Sequence, residues 1–201
     1  MPRPKQRTPE LRDQVLRTAV DMLSTGGVAA FTTRRVAEGA ATSVPAVYEL
    51  FGDKAGLVRE IFFEGFRSLR RRMDAALASR DAGHDPRADL LAIVAAFREF
   101  VRENPVLTEV MFARPFTDFD PRPEDLSASG SLREFIVSHV QRCIDAGLLR
   151  GDAVDISHVL LALAQGLAAQ ETAGWLGRSD ASRDRRWSVA FSSLLDGFAA
   201  S

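Results

Sequence analysis

Apolar residues recur every three to four positions along almost the whole chain, and the alternating apolar and polar pattern of strands is missing. This rhythm predicts an all-α fold of about nine helices. A first helix is expected from a Thr8 cap, with Pro9 at its first position, to a stop at Gly26-Gly27, burying Leu11, Val15, Ala19, Met22 and Leu23. Two very short helices follow. One is capped by Thr32 or Thr33 and runs through Ala40; the next is capped by Ser43 and runs to about Leu50, with Pro45 tolerated in its first turn. Gly52-Asp53 breaks the chain before a longer helix from Lys54 to the Ala82-Gly83 break, with Leu57, Ile61, Phe62, Phe66, Leu69, Met73 and Leu77 on its apolar stripe.

The remainder reads as a helical bundle. Segment 86–103 presents Leu90, Val94, Phe97 and Val101 on one stripe, and Asn104-Pro105 interrupts it before a short apolar piece ending near Phe112. Residues 113–130, rich in Pro, Asp and Ser, predict a mobile loop. Helices near 131–146, 154–175 and 183–199 complete the count. The expected organisation is a three-helix domain over residues 1–54 followed by a helical domain over 55–201.

Composition narrows the function classes. A chain of 201 residues can bury a core without disulfides or metal, and Cys143, the single cysteine, agrees with a reducing compartment. No apolar run reaches the roughly 20 residues that span a bilayer. The segment Met1-Pro-Arg-Pro-Lys-Gln-Arg-Thr-Pro has charges without an apolar stretch behind them, so no secretory signal is expected and the cytoplasm is the predicted location. The net charge of −1 lacks the basic footprint of a nucleic-acid binder. Its distribution is more informative: residues 1–54 hold eight Lys/Arg against six Asp/Glu, leaving the remainder acidic. Lys54 stands out as one of only two lysines.

Two short capped helices joined by a tight turn and braced by a preceding helix have the outline of a helix-turn-helix. Over residues 31–57 the string Phe-Thr-Thr-Arg-Arg-Val-Ala-Glu-Gly-Ala-Ala-Thr-Ser-Val-Pro-Ala-Val-Tyr-Glu-Leu-Phe-Gly-Asp-Lys-Ala-Gly-Leu closely resembles the DNA-binding segment of the tetracycline-repressor (TetR) family. The resemblance rests on Thr33, Val36-Ala37, Ser43, Val47-Tyr48, Phe51, the junction at 52–54 and Leu57, all in register. Val36, Ala37, Val47 and Phe51 are spaced to face inward. Thr33 and Ser43 suit helix starts, whose unpaired amides favour phosphate. The start of the second helix meets base edges in such motifs, which places Val44, Pro45 and Ala46 there. They have no side-chain donors and are expected to touch thymine methyl groups, with Arg34 or Arg35 adding base or phosphate contacts. Tyr48 and Lys54 are expected on backbone phosphates. The chain departs from the family pattern at Ala41-Thr42, where Gly-Val is usual, and at Glu49-Leu50, which replaces an aromatic or histidine pair. Gly39 inside a helix costs about 1 kcal/mol relative to alanine, which points to close packing there or to simple tolerance.

The resemblance implies a homodimer whose last two helices pair with their symmetry mates, here through Val159, Leu160, Leu163, Leu167, Phe191, Leu194, Leu195 and Phe198, although a monomer core would use the same residues. Two heads would then read half-sites about 34–36 Å apart on palindromic double-stranded DNA. Phe97-Arg-Glu-Phe100, Glu103-Asn-Pro105, Met111-Phe112, Gln165-Gly166 and Trp175 are similar to one C-terminal subtype of the family. That likeness implies a small apolar or amphipathic effector, with Phe97, Met111, Phe112, Phe116 and Trp175 as pocket residues that would equally serve as core. No cofactor or membrane partner is expected. His139 and Cys143 lie four apart, a spacing that can hold a metal, but with no third ligand they read as a surface histidine and a core cysteine. Glycine-rich phosphate loops, a nucleophile elbow and His-Glu motifs are missing, so no enzyme is expected.

Overall fold

The computed structural model describes residues 8–80, 85–113 and 126–200, with the side chains of 126–129 left aside. The described residues form nine helices: α1 Pro9–Ala30, α2 Thr33–Gly39, α3 Val44–Phe51, α4 Lys54–Ala78, α5 Pro86–Glu103, α6 Pro105–Phe112, α7 Leu126–Asp145, α8 Ala153–Thr172 and α9 Asp180–Gly197. The one β-type pairing among them is an isolated bridge between Leu149 and Ala199.

Most ends follow local cap chemistry. The hydroxyl of Thr8 accepts from the Leu11 amide at 3.3 Å, with Pro9 at the first helical position. Gly27 interrupts α1 with φ +67°, so the regular helix ends where Gly26-Gly27 predicts and a further turn runs on to Ala30. Helix α8 begins on Asp152, whose carboxylate accepts from the amides of Val154 and Asp155 at 2.8 and 3.0 Å. Ser179 caps α9 through the Ser182 amide, which starts that helix three residues before the expected 183. Helix α7 begins at Leu126, inside the stretch expected to be loop. Residues 114–125, including Phe116, lie outside the described residues.

The chain divides into two compact units, one made from Met1–Arg67 and Asn104–Ala128 and the other from Ser68–Glu103 and Ser129–Ser201. These bounds differ from the expected 1–54 and 55–201, because α6 packs against α1. In the first unit Val15, Ala19 and Leu23 of α1, Val36 and Ala37 of α2, Val47 of α3, Leu57 and Ile61 of α4 and Val110 of α6 are buried. Phe66 meets Phe62 at 4.9 Å and Phe112 at 5.7 Å, both edge-on. Gly65 lets α4 and α6 touch, since a Cβ there would lie 2.5 Å from the sulfur of Met111.

The second unit joins α5 to α8 and α8 to α9. Its core includes Met73, Leu90, Phe97, Phe100, Ile156, Leu160, Phe191 and Leu195. It also holds charge away from water. Arg98 grips Glu171 with two 2.8 Å hydrogen bonds and donates to Asp184 at 2.7 Å, while the Trp187 indole donates to Glu171 at 2.6 Å. Burial acts to raise the Glu171 carboxyl, but the bonds from Arg98 and Trp187 outweigh it and hold the group below its ordinary value. Asp89, almost wholly enclosed, lies between Arg80 at 3.3 Å and Arg142 at 3.5 Å.

In helix α8 an 18-residue window has a mean hydropathy of 1.2, enough to cross a membrane by length and composition alone, a test that a core helix of a bundle also passes. One third of that window is buried within the chain, and Val159, Ala162, Gly166 and Ala169 are among the residues of α8 left exposed.

Candidate nucleic-acid interface

Thr32 and Ser43 start the two short helices in the same way. Each hydroxyl accepts an amide hydrogen three residues on, from Arg35 and Ala46 respectively, at 3.3 Å. Thr33 corrects the expectation: it is the first helical residue and its side chain is buried, so it packs inside the unit, and the exposed threonine at this helix start is Thr32. The turn between the helices passes through Ala41 at φ +49°, a left-handed conformation that alanine tolerates poorly. The Ala41-Thr42 departure thus keeps a turn geometry that would suit glycine and carries local strain. Of the two readings of Gly39, close packing is the one that applies: a Cβ would lie 2.8 Å from the Thr18 methyl on α1.

Val47 and Phe51 pin α3 inward. Ser43, Pro45, Tyr48 and Glu49 are exposed, and Val44 and Ala46 are half-buried. Tyr48 is 44 % exposed. From α2, Arg34 projects into solvent and pairs with Glu38 at 3.0 Å, whereas Arg35 donates to the Ala30 carbonyl and ties α2 to the end of α1. Lys54 opens α4 and is half-buried.

The junction that delivers Lys54 is built by Gly52 and Asp53, where the sequence predicts a break, and by Gly56, to which it assigns no role. Gly52 ends α3 at φ +82°. The Asp53 carboxylate accepts from the Gly56 amide at 2.7 Å and so caps α4. A Cβ on Gly56 would fall 1.8 Å from the Phe51 carbonyl oxygen, so only glycine lets α4 start directly against the end of α3. The signal was available in the Asp-x-x-Gly spacing, which fits an N-cap followed by a residue that must come close.

Of the expected effector residues, Phe97 and Trp175 belong to the second unit and Met111 and Phe112 to the first, while Phe116 lies outside the described residues. Phe97 lines a small apolar cavity of about 30 Å³ in the second unit with Met73, Leu90, Ile136, Leu160 and Ala164. Met111 is buried in the first unit, and Phe112 packs edge-on against Phe66 there. Trp175 is 82 % exposed and does not line that cavity. A larger groove of about 400 Å³ runs between α5 and α9, with Leu91, Val94, Trp187 and Phe191 beside Arg98 and Arg102.

The expected dimer residues also separate. Leu160, Phe191 and Leu195 are buried in the chain's own core, because they lie on the inward stripes of α8 and α9. Val159 is exposed, and Leu163, Leu167, Leu194 and Phe198 are half-buried. On α8, Val159, Ala162, Gly166, Ala169 and the following Ala173 form an exposed line of small residues, with Val189 exposed on α9. His139 is buried and not superficial as expected; its Nδ1 pairs with the Phe135 carbonyl at 2.8 Å. Cys143 is a core residue whose thiol burial pushes up to about 11.

Comparison with known proteins agrees with this geometry. The model for bacterial regulatory proteins of the tetR family matches residues 15–61, and that for the tetracyclin repressor-like C-terminal domain matches residues 90–194. No curated protein sequence matches the chain. Among solved structures, a Rhodococcus sp. RHA1 protein of unknown function superimposes with a TM-score of 0.83 at 23 % identity, covering 98 % of this chain and 100 % of that one. The TetR-family transcriptional regulator PfmR of Thermus thermophilus gives 0.65 at 18 % identity over 90 % and 97 % of the two chains. The ketosteroid transcriptional regulator KstR2 of Mycobacterium tuberculosis gives 0.63 at 17 % identity over 96 % and 97 %. With one family model spanning the helix-turn-helix and another more than half of the chain, the protein belongs to the tetR family of bacterial regulatory proteins.

Proposed function

We propose that the protein is a cytoplasmic repressor that occupies a palindromic operator as a homodimer and leaves it when a small apolar or amphipathic effector binds the second unit. The observation that carries this reading is the outward edge of α3. Pro45 and Ala46 offer apolar surface to thymine methyl groups, and Val44 sits beside them at the helix start. Tyr48 and Lys54, with Arg34 beside them on α2, are the groups assigned to phosphates, and Ser43 presents a helix N-terminus to the same backbone. The exposed line on α8, joined by Leu163, Leu167, Leu194 and Val189, is the surface assigned to the partner copy. Small residues there allow two helices to approach closely, and covering them removes the apolar exterior of α8 from water.

For the effector, the reading favours the apolar cavity around Phe97 and Leu160. Its present volume of about 30 Å³ holds no drug-sized molecule, so an effector there must select a state in which α4, α5, α7 and α8 are spread. The ligand then shifts DNA affinity only by the difference in its own affinity for the two states.

Fluorescence anisotropy with DNA from upstream of the protein's own gene tests the reading. A sequence-specific, salt-sensitive complex is expected. Tyr48→Phe combined with Lys54→Ala should weaken binding to all duplexes alike, whereas changes at Pro45 or Ala46 should alter which duplex is preferred. The same uniform loss from both sets would contradict it.

A further inference from the structure

Resting on the regulator reading, we infer that Glu49 is a specificity-determining residue whose carboxylate accepts a hydrogen bond from a cytosine amino group in each half-site. Successive residues turn about 100° around a helix, which places Glu49 about 180° from the midpoint of buried Val47 and Phe51, Pro45 about 140° away and Tyr48 only about 80° away. The residue aimed most directly away from the core is therefore Glu49, one turn beyond Pro45 on the same face. Tyr48 lies at the flank, where the phosphate backbone runs beside an inserted helix. Among the exposed residues of α3, Glu49 is the one with an acidic side chain.

The chemistry of a carboxylate restricts what it reads. It accepts hydrogen bonds and donates none. In the major groove guanine presents acceptors at O6 and N7, and thymine presents an acceptor and a methyl group, so neither offers a partner. Adenine offers its N6 amino group beside the N7 acceptor, which opposes a second carboxylate oxygen. Cytosine offers its N4 amino group with no major-groove acceptor beside it, and is the matching base. Pro45 and Ala46 add apolar contact on the preceding turn, so each half-site should carry cytosine near thymine.

The test is operator selection from random duplexes with the full-length protein, followed by affinity and salt titrations on the wild type, Glu49→Ala and Glu49→Gln. The wild type should select a twofold-related pair of cytosines. Replacing one C·G pair by T·A should weaken wild-type binding about tenfold or more, while Glu49→Ala binds both duplexes within about threefold and Glu49→Gln moves the preference toward adenine. If Glu49→Ala instead binds every duplex more tightly and with steeper salt dependence, the carboxylate faces phosphates and the inference is overturned. It is also overturned if no selected position changes with residue 49 while specific binding persists. Loss of all sequence preference in the wild type would overturn the regulator reading itself.

Discussion

Helices α3 and α8 each leave one face outside the chain's own core, and the two faces are unlike. That of α3 is short and mixed, with Ser43, Pro45, Tyr48 and Glu49. That of α8 is longer, with Val159, Ala162, Gly166 and Ala169 in line between the exposed Asp155 and Gln170. A surface that reads base edges needs donors, acceptors and methyl-sized apolar groups in a fixed order. A surface that meets its own copy needs small residues and little that must be desolvated. On the proposed function, a duplex covers the α3 face and a second chain covers the α8 face.

A charge placed in the middle of the α8 face should separate these two roles most strongly. Gly166 has no atom within 4 Å of an added Cβ, so Gly166→Arg leaves the single chain folded. It should dissociate the dimer and weaken operator binding by about 100-fold or more, since two linked heads bind far better than one. Sedimentation and anisotropy on the same sample measure both effects. A variant still dimeric with unchanged affinity would remove α8 from the interface.

The buried charges of the second unit give the next largest effect. Arg98→Met takes the bidentate partner from Glu171 and should cost about 3 kcal/mol in urea unfolding at pH 7. The Glu171 carboxyl is lowered in the fold, so the stability it adds is complete above its unfolded pKa and is lost as the pH falls through its folded value. The difference between wild type and variant should therefore narrow in acid. A gap that widens as the pH falls would contradict the assigned role of the pair.

Two substitutions in the first unit probe the α3 side of the contrast. Gly65→Ala drives a methyl group into Met111 where α4 touches α6, and should cost about 1–2 kcal/mol even after the flexible side chain yields. Thermal denaturation measures it, and no loss would show that α6 can give way freely. Ala41→Gly relieves the left-handed strain in the turn and should stabilise the protein by about 0.5–1 kcal/mol without altering operator preference. A fall in melting temperature would mean that the turn carries no strain.

Features set by a few neighbouring residues were legible in the sequence. Thr8, Ser43, Gly27 and the Asn104-Pro105 break all act where expected, because caps and stops depend on local hydrogen bonds and φ angles. Thr32 and Thr33 were interchangeable on that basis, and only packing decided which one caps. The outward edge of α3 was legible because the spacing of Val47 and Phe51 already assigns the opposite side of the helix to the exterior. The grouping of α6 with the first unit was not, since it depends on the contact that Gly65 permits. Nor was the scatter of the aromatic residues. Phe97, Phe112 and Trp175 are alike as sequence signals, and they become pocket lining, a ring packed on Phe66 and an exposed side chain through tertiary arrangement alone.

A hydroxyl-radical footprint of the protein on its selected operator, taken together with the stoichiometry of the complex, decides whether a duplex covers α3 while a second chain covers α8. Two protein chains per duplex are expected, with two symmetric protected patches whose centres lie about 34–36 Å apart, one helical turn. Protection that is unsymmetrical, confined to one patch, or indifferent to sequence would contradict that division of roles.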